Sequence, residues 1–252
     1  MKVVENTEEA PGETTKDKLL GGRVLLLQPR TGYRAALDSV LLASAIPAVD
    51  GDSVMDLGSG VGSASLCLAY RVKGCRIEGI EVQRPLVSLG TQNISLNGFE
   101  DRIKFVLGEV SEVGKFWKPR FDHVMINPPY LPESRAQPTS NPDRAKIEVG
   151  IGLRDWVYAA ASVIKDSGTL TFIHRADRLD ELLSSVREVA GDISVFPIWP
   201  SLGKEARRVI VKGRKGRRGP MKFCAGLVLH DSDGQYTMSA THILVSGGPL
   251  EF

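Results

Sequence analysis

The stretch with the clearest capacity for chemistry is Asn127-Pro128-Pro129-Tyr130. It follows an apolar run, Phe121 to Ile126, that predicts a buried strand. Two consecutive prolines cannot donate to a sheet ladder, so the strand must end there, and proline favours extended geometry at Asn127. The end of the strand then holds an amide oxygen, backbone carbonyls and an aromatic ring in fixed positions. This set suits a planar group that carries an NH2, although a simple Pro-Pro turn closed by the Asn127 side chain also fits.

A second candidate is the glycine-rich turn Asp56-x-Gly58-x-Gly60-x-Gly62, which follows another apolar strand. Glycines let a ligand approach the backbone, and the helix after the turn presents its N-terminal amides. In dinucleotide-binding enzymes the third glycine comes three residues after the second. Here it comes two residues after, and a carboxylate precedes the first glycine by two. The pattern favours a cationic cofactor, and S-adenosylmethionine, a sulfonium with a charged amino group, fits best.

Further cofactor contacts are predicted where the next two strands end. Glu81 ends the strand Arg76 to Glu81 and is placed to accept hydrogen bonds from both hydroxyls of a ribose. Gly108 and Glu109 follow the strand Ile103 to Leu107 and are candidates for contact with the adenine edge of the cofactor. The predicted cofactor-binding residues are Asp56, Gly58, Ser59, Gly60, Gly62, Glu81, Val82, Gly108, Glu109 and Asn127, and the predicted catalytic residues are Asn127, Pro128, Pro129 and Tyr130.

Strands alternate with helices along most of the chain, which predicts an α/β fold with a doubly wound, mostly parallel sheet. In the usual strand order 3-2-1-4-5, strands 1 and 4 are neighbours at the topological switch point. The glycine turn ends strand 1, and Asn127 follows strand 4. Adjacent strands lie roughly 5 Å apart, so both motifs are expected to open onto one crevice.

Composition divides the chain into four parts. We predict a disordered N-terminal segment (1–18), a strand and helix extension (19–48), the main domain with a basic C-terminal β-hairpin (49–240) and a tail (241–252). The hairpin would join strands at Arg207 to Val211 and Phe223 to His230 through a basic loop. The run Leu131 to Val149 is polar and proline-rich, which predicts a long loop of the kind that usually has a function.

Overall composition is that of a globular protein, with 42% apolar and 25% charged residues in 252. No run approaches the roughly 18 apolar residues of a membrane span. The acidic N-terminus does not resemble a secretory signal. Three cysteines without CxxC spacing indicate free thiols in a cytoplasmic protein, and four scattered histidines are expected to be structural. We therefore predict no metal site and no membrane partner.

Charge is unevenly distributed, although the net charge is only +2. Between residues 204 and 222, nine basic residues face one acid, Glu205, which gives this segment a charge of +8. Such asymmetry suggests a polyanionic partner, with a solvated hairpin as the alternative. The nine basic residues are Lys204, Arg207, Arg208, Lys212, Arg214, Lys215, Arg217, Arg218 and Lys222.

Together these residues resemble the class I S-adenosylmethionine-dependent methyltransferases, and Asn127 to Tyr130 resembles the [DNS]-P-P-[YFW] motif of enzymes that methylate exocyclic or amide nitrogens. The stretches Gln28 to Ala43 and Arg207 to Gly216 are similar to those of the bacterial tRNA1(Val) (adenine-N6)-methyltransferase family. This resemblance implies a Rossmann-like, seven-stranded sheet, and transfer of a methyl group to N6 of an adenine in tRNA. The residues then expected to contact RNA are Arg30, Tyr33, Arg34, Arg207, Arg208, Lys212, Arg214, Lys215, Arg217 and Arg218.

Several alternatives share the same motifs. A glutamine side-chain amide is also a planar NH2 group, so a protein glutamine N5-methyltransferase would use the same tip, although it would not need the basic segment. Guanine-N2 methylation of rRNA and adenine-N6 methylation of DNA also remain open. The intact glycine turn and Glu81 argue against a non-catalytic binding module. Monomer and homodimer are both compatible with the sequence.

Overall fold

The computed structural model describes residues 13–31, 37–130 and 151–252. Tyr33, Arg34 and the predicted loop Leu131 to Val149 lie outside these ranges. In chain order the strands are β1 (Thr14–Leu19), β2 (Val24–Pro29), β3 (Ser53–Leu57), β4 (Arg76–Glu81), β5 (Ile103–Leu107), β6 (Phe121–Ile126), β7 (Ile164–Arg175), β8 (Ala190–Ser201), β9 (Arg208–Lys215), β10 (Lys222–Phe223) and β11 (Leu227–His230). The α-helices are α1 (Leu37–Ala45), α2 (Ser63–Arg71), α3 (Arg84–Asn97), α4 (Val113–Phe116), α5 (Leu153–Val163), α6 (Leu179–Val189) and α7 (Met238–Leu244). Short 3-10 turns cover Leu20–Gly22, Val110–Glu112 and Ala176–Arg178.

The main sheet has a parallel half in the spatial order β5-β4-β3-β6-β7. This is the predicted 3-2-1-4-5 arrangement, so the α/β, doubly wound fold is confirmed. Its central strands are apolar along their length because helices cover both faces of a parallel sheet. Val54 and Val124, which pack into two different core clusters on either side, are both fully buried.

The other half of the sheet is built from the C-terminal strands. Strand β9 lies antiparallel between β7 and β8, while β10 and β11 pair in parallel with the outer edge of β8. The predicted hairpin between Arg207 to Val211 and Phe223 to His230 is therefore wrong, because these segments lie on opposite sides of β8. Val209, Ile210 and Val211 are fully buried or nearly so, which explains why β9 takes a central position rather than a place in a surface hairpin. Strands β3 to β9 match the predicted seven-stranded sheet, and the predicted strand Phe223 to His230 is divided into β10 and β11 at its edge.

The N-terminal extension begins with a two-stranded antiparallel sheet of β1 and β2. The prediction of disorder over 1–18 is wrong where strand β1 (Thr14–Leu19) overlaps that range, and residues 1–12 lie outside the described ranges. Strand β1 was missed because its residues are polar and show no apolar period. Backbone pairing holds it to β2, together with a 2.7 Å hydrogen bond from Gln28 Nε2 to Asp17.

Two asparagines of α3 attach the extension to the main domain. Asn93 Oδ1 accepts from the Leu27 N–H at 2.6 Å, and its Nδ2 donates to the carbonyls of Leu27 (2.8 Å) and Val61 (3.0 Å). Asn97 pairs in the same way with both backbone groups of Leu25. The asparagine side chains thus bond to β2 as a neighbouring strand would, and Asn93 also reaches the glycine turn at Val61.

The predicted tail, 241–252, is partly folded against the core. Helix α7 begins at the N-cap Thr237, whose hydroxyl accepts from the Ala240 N–H at 3.1 Å. The buried Leu250 donates its N–H to the Ser44 carbonyl of α1 at 2.8 Å. A seven-residue helix offers too few turns for a clear apolar period, which explains why it was not predicted. Among the described helices, none combines the length and the apolar character that a membrane span requires.

Candidate active site

The register of β3 and β6 decides where the two sequence motifs meet. Leu57, at the end of β3, pairs with Ile126, at the end of β6, and the strands run in parallel. The next residues, Gly58 and Asn127, therefore leave adjacent strands at the same edge of the sheet. The predicted meeting of the glycine turn and the Asn127 tip is confirmed, and we call this side the carboxyl edge.

The glycine turn combines tight packing with one open position. Gly58, Gly60 and Gly62 all have left-handed φ angles, of 72°, 56° and 87°. A Cβ at Gly58 would lie 2.8 Å from the Trp156 ring, and one at Gly62 would lie 2.5 Å from the Phe105 ring. A Cβ at Gly60 would meet no atom within 4 Å. Two glycines therefore allow close packing of aromatic rings, while Gly60 faces space that a ligand can enter.

Glu81 links the end of β4 to this turn. Its carboxylate accepts from the Gly60 N–H at 3.0 Å and from the Gln83 N–H at 2.9 Å. Burial raises the pKa of Glu81, and these backbone hydrogen bonds oppose the rise. The next residue, Val82, is apolar yet 52% exposed, so it offers a flat ligand an apolar surface beside the carboxylate.

The other predicted cofactor residues lie around the same edge. Gly108 donates its N–H to the Glu81 carbonyl at 3.0 Å, and the exposed Glu109 accepts from Ser111 at 3.3 Å. Ser59 is 7% exposed, and its hydroxyl has no hydrogen-bond partner among the described residues. Because buried polar groups in proteins are normally paired, this hydroxyl is available to hydrogen-bond a ligand.

Asp56 lies beneath the turn rather than at its surface. It is 3% exposed, and its Oδ2 accepts from the Ser65 hydroxyl of α2 at 2.6 Å. Burial raises the pKa of Asp56 to about 7, against the opposing effect of the Ser65 hydrogen bond. The nearby carboxylate of Glu81 adds to the rise. Asp56 is therefore poised to change its charge near neutral pH.

Tyr130 takes part in a cluster that the sequence did not predict. Its hydroxyl donates to Asp38 Oδ2 of α1 at 2.6 Å, and Arg208 Nε of β9 donates to the same oxygen at 2.9 Å. The Arg208 guanidinium carbon also lies 4.8 Å from the centre of the Tyr130 ring. The cluster joins the N-terminal extension, the Asn127–Tyr130 tip and the antiparallel strand. The sequence around Asp38 indicates only a helix-dipole role, since its partners lie far away along the chain.

His174 of β7 completes the surroundings of Tyr130. The two ring centroids are 5.2 Å apart in an edge-on arrangement. His174 is fully buried, and burial lowers its pKa to about 4, so the ring is neutral at pH 7. Neither ring nitrogen has a hydrogen-bond partner within the part of the chain that the structure describes. His123, by contrast, bonds to Thr169 and Asp52, as expected for a structural histidine.

The basic segment does not form one surface. Because β9 is antiparallel to β7, Arg208 pairs with Arg175 at the carboxyl edge, whereas Arg214 pairs with Thr169 towards the opposite, amino edge. At about 3.3 Å per residue, Arg208 and Lys215 are roughly 23 Å apart. The predicted RNA-contact residues Arg214, Lys215, Arg217 and Arg218 thus lie away from the Asn127 tip, while Arg207 and Arg208 lie near it.

Two other predicted RNA contacts are engaged within the protein. Lys212 is half-buried, its Nζ lies 3.4 Å from the centre of the Phe252 ring, and burial lowers its pKa to about 8. Arg30 forms a 2.5 Å ion pair with Glu13, and both side chains are exposed. Lys212 is therefore a poor candidate for phosphate contact. Arg30 remains a candidate, because it would only have to exchange the exposed Glu13 carboxylate for a phosphate.

Comparison with known proteins decides the family. A family model described as "Methyltransferase small domain" matches residues 34–189, which include the glycine turn, Glu81 and the Asn127 tip. The chain belongs to the methyltransferase small domain family. This methyltransferase is 27% identical over 202 residues to the tRNA1(Val) (adenine(37)-N6)-methyltransferase of Actinobacillus pleuropneumoniae, an alignment that covers 79% of this chain and 84% of the relative.

Solved structures share the fold of this methyltransferase. A predicted O-methyltransferase from Agrobacterium tumefaciens superposes with a TM-score of 0.73 at 24% identity, covering 85% of this chain and 98% of the other. A SAM-dependent O-methyltransferase from Thermotoga maritima gives 0.53 at 16% identity, covering 76% and 69%. These similarities confirm the predicted class I methyltransferase architecture.

The cofactor of this methyltransferase is S-adenosylmethionine, as predicted. The residues present fit it. The turn offers open space at Gly60 and the buried hydroxyl of Ser59, Glu81 offers buried carboxylate oxygens, and Val82 offers an exposed apolar side chain. All four lie at the carboxyl edge, where doubly wound sheets bind ligands.

Proposed function

We propose that this methyltransferase modifies the exocyclic N6 of an adenine in tRNA. The observation that carries the proposal is the pairing of Leu57 with Ile126, which sets Asn127 beside the glycine turn. A group held by Asn127 would thereby lie next to a cofactor bound at that turn. The name of the Actinobacillus pleuropneumoniae relative supports tRNA as the substrate and adenine N6 as the methylated atom.

The cofactor would be held by the residues at the ends of β3, β4 and β5. When bound, S-adenosylmethionine supplies a methyl group on a positively charged sulfur. Glu81 would accept from the ribose hydroxyls, Val82 would pack on the adenine ring, and the backbone at Gly108 and Glu109 would meet the adenine edge. The carboxylate of Asp56, lying under the turn, would favour the cofactor's positive charge.

Asn127 and Pro128 would orient the reacting nitrogen. Adenine N6 is a poor nucleophile because its lone pair is delocalised into the ring. The Asn127 side-chain oxygen and the Pro128 carbonyl would each accept one amine hydrogen, which moves the nitrogen towards tetrahedral geometry and aims its lone pair at the methyl group. Each bond contributes about 1 kcal/mol, whereas orientation of the reactants recovers about 7–11 kcal/mol of barrier. A strong base is not needed, since the methylated nitrogen is far more acidic and would release its proton to water after transfer.

Tyr130 would stack on the adenine, a contact worth about 1–3 kcal/mol. Asp38 and Arg208 fix the Tyr130 ring before the base arrives, so little conformational freedom is lost on binding. The base must leave its stack to enter the site, which is easiest in a single-stranded loop. This requirement favours an RNA loop over a duplex as the substrate.

Cations at the carboxyl edge would bind phosphates that flank the target. Lys204 and Arg207 are exposed, and neither forms an ion pair with a described residue. Both belong to the segment between β8 and β9, whose ends reach the carboxyl edge. Arg30, with Tyr33 and Arg34 as sequence-based candidates, would extend this surface.

The main rival is methylation of a protein glutamine, because its side-chain amide offers the same planar NH2 group to Asn127. Labelled S-adenosylmethionine, incubated with the enzyme and either total RNA or total protein, separates the two. We expect label in N6-methyladenosine of tRNA. Label confined to glutamine, or found in N2-methylguanosine, would contradict the proposal.

A further inference from the structure

We propose that a cleft at the amino edge of the sheet binds RNA phosphates remote from the methylated base. The cleft has a volume of about 500 Å³ and lies where α6 ends and the chain leaves β9. We call it the far-edge cleft, and its lining includes Arg187, Gly216, Arg217, Arg218, Gly219 and Met221. The inference rests on the proposed function and adds a second, separate point of RNA contact.

Backbone contacts form the cleft without a ligand. The Gly216 N–H donates to the Val189 carbonyl at 3.1 Å, and the Arg217 N–H donates to the Arg214 carbonyl at 3.3 Å. At Gly191 a Cβ would lie 2.3 Å from the Arg217 carbonyl oxygen, so the loop after β9 packs directly on the start of β8. The backbone of the loop that carries Arg217 and Arg218 is therefore positioned by the fold.

The charge of the cleft suits an anion. Arg187, Arg217 and Arg218 form no ion pair with any residue in the described ranges. The acid in the lining, Glu188, is engaged by Arg154 at 2.8 Å and by the Tyr158 hydroxyl. Asp192 lies beside Gly219 and offsets part of the positive charge. Three guanidinium groups around one cavity match phosphate, which arginine binds with paired hydrogen bonds.

Neighbouring apolar residues favour a nucleic acid over a small free anion. Met221 is 43% exposed and Phe223 is 63% exposed, with the cation Lys222 between them. Exposed aromatic rings among cations are typical of surfaces that follow a nucleic-acid backbone and stack its bases. A site for inorganic phosphate would gain nothing from these side chains.

Distance makes the far-edge cleft independent of the methyl-transfer site. The roughly 23 Å along β9 corresponds to about seven stacked nucleotides at about 3.4 Å each. A heptanucleotide centred on the target adenine extends only three nucleotides to either side, or about 10 Å when they are stacked, so a stacked heptanucleotide ends short of the cleft. Full-length tRNA can occupy both sites together.

The test compares these two RNAs as ligands for wild-type enzyme and for the double variant Arg217→Ala/Arg218→Ala. Affinity is measured by fluorescence anisotropy over a series of salt concentrations. For full-length tRNA we expect the variant to bind several-fold more weakly, with the salt slope reduced by about 2, one for each phosphate that the variant no longer neutralises. For the heptanucleotide we expect no difference between the two enzymes.

A matched control removes two exposed cations from the same edge of the sheet. Lys73 and Arg76 lie before and at the start of β4, four strands away from β9, and neither forms an ion pair with a described residue. The variant Lys73→Ala/Arg76→Ala should bind full-length tRNA like wild type. An equal loss of affinity in this control would show a general charge effect and overturn the far-edge cleft as a site.

Other outcomes are equally decisive. Unchanged tRNA affinity in the double arginine variant would overturn the inference. Inorganic phosphate that binds the cleft without weakening the binding of tRNA would overturn it as well. Failure of the proposed function has a different signature, since it would appear as absence of methyl transfer from wild-type enzyme to tRNA.

Discussion

The hydroxyl of Tyr130 lies 2.6 Å from the Asp38 carboxylate, so the last residue of the Asn127–Tyr130 tip is held by the N-terminal extension. Arg208 bonds to the same carboxylate oxygen and contacts the Tyr130 ring. The extension therefore contributes to the candidate active site as well as covering the core. Because α1 carries Asp38, its position controls where Tyr130 presents its ring.

The first prediction concerns this hydrogen bond. Tyr130→Phe removes the hydroxyl but keeps the aromatic ring, and a hydrogen bond to a charged group contributes about 1.5–3 kcal/mol. We expect kcat for tRNA to fall by about tenfold or more, with cofactor affinity unchanged. Steady-state kinetics measures kcat, and calorimetric titration measures the affinity for the cofactor.

A double-mutant cycle checks that the effect passes through Asp38. If Asp38 acts by holding Tyr130, the two single variants Tyr130→Phe and Asp38→Ala remove the same interaction. The sum of their losses in kcat, expressed as free energies, should then be much larger than the loss in the double variant. Fully additive losses would show that the two residues act independently. Asp38→Asn should recover part of the activity, since an amide oxygen can still accept from Tyr130.

The second prediction is a pH dependence that arises from Asp56. In the free enzyme its pKa is raised to about 7 by burial, so the group is neutral below that pH. A cationic cofactor binds more favourably when Asp56 is ionised. The affinity for S-adenosylmethionine should therefore rise with pH up to about 7 and then level off. Calorimetric titration from about pH 6 to pH 8 measures the change.

The same group should affect stability in the opposite direction. A raised carboxyl pKa stabilises the folded state at low pH, and this contribution is lost as the pH rises through about 7. The melting temperature of the free enzyme should therefore decrease over the range in which affinity increases. Asp56→Asn should flatten both profiles, and an unchanged affinity profile in that variant would assign the titration to another group.

The third prediction uses two glycines with the same backbone geometry. Gly60 and Gly98 have φ angles of 56° and 68°, and a Cβ at either would meet no atom within 4 Å. Alanine at either position carries a similar strain of about 1–2 kcal/mol. Only Gly60→Ala places a methyl group in the cofactor space, so only this variant should bind S-adenosylmethionine more weakly. Equal affinities in the two variants would place the cofactor elsewhere.

The fourth prediction concerns the link between the extension and the glycine turn. Asn93→Leu leaves the Leu27 N–H and the Val61 carbonyl without their partner, at a cost of about 1–3 kcal/mol for each buried group. Chemical denaturation should show this loss, and cofactor affinity should fall as well because Val61 belongs to the turn. Asn97→Leu is the comparison, since Asn97 is only half-buried and does not contact the turn. It should cost less stability and leave cofactor affinity unchanged.

The carboxyl edge could be predicted from the sequence because local signals define it. The apolar runs that end at Leu57 and Ile126 are each followed by residues that stop a strand, either glycines or two prolines. Once the fold class is known, the order of the strands brings these stops together. No long-range contact had to be inferred.

The parts that were missed depend on contacts between distant segments. Asp38 and Arg208 are separated by 170 positions, and nothing local to either residue indicates the other. The basic run also reads as one segment, although an antiparallel strand carries its two ends to opposite edges of the sheet. Strand β1 has no apolar pattern, because backbone pairing with β2 rather than burial of side chains holds it in place.

The central claim is that Asn127 orients the substrate amine beside a cofactor held by the glycine turn. Asn127→Ala, assayed in a single turnover with tRNA and in parallel for equilibrium binding of S-adenosylmethionine, tests it most directly. The account predicts that cofactor affinity stays close to wild type while the rate of methyl transfer falls by about 100-fold or more, as expected when reacting atoms are misplaced by about 1 Å. A transfer rate close to that of wild type would contradict it.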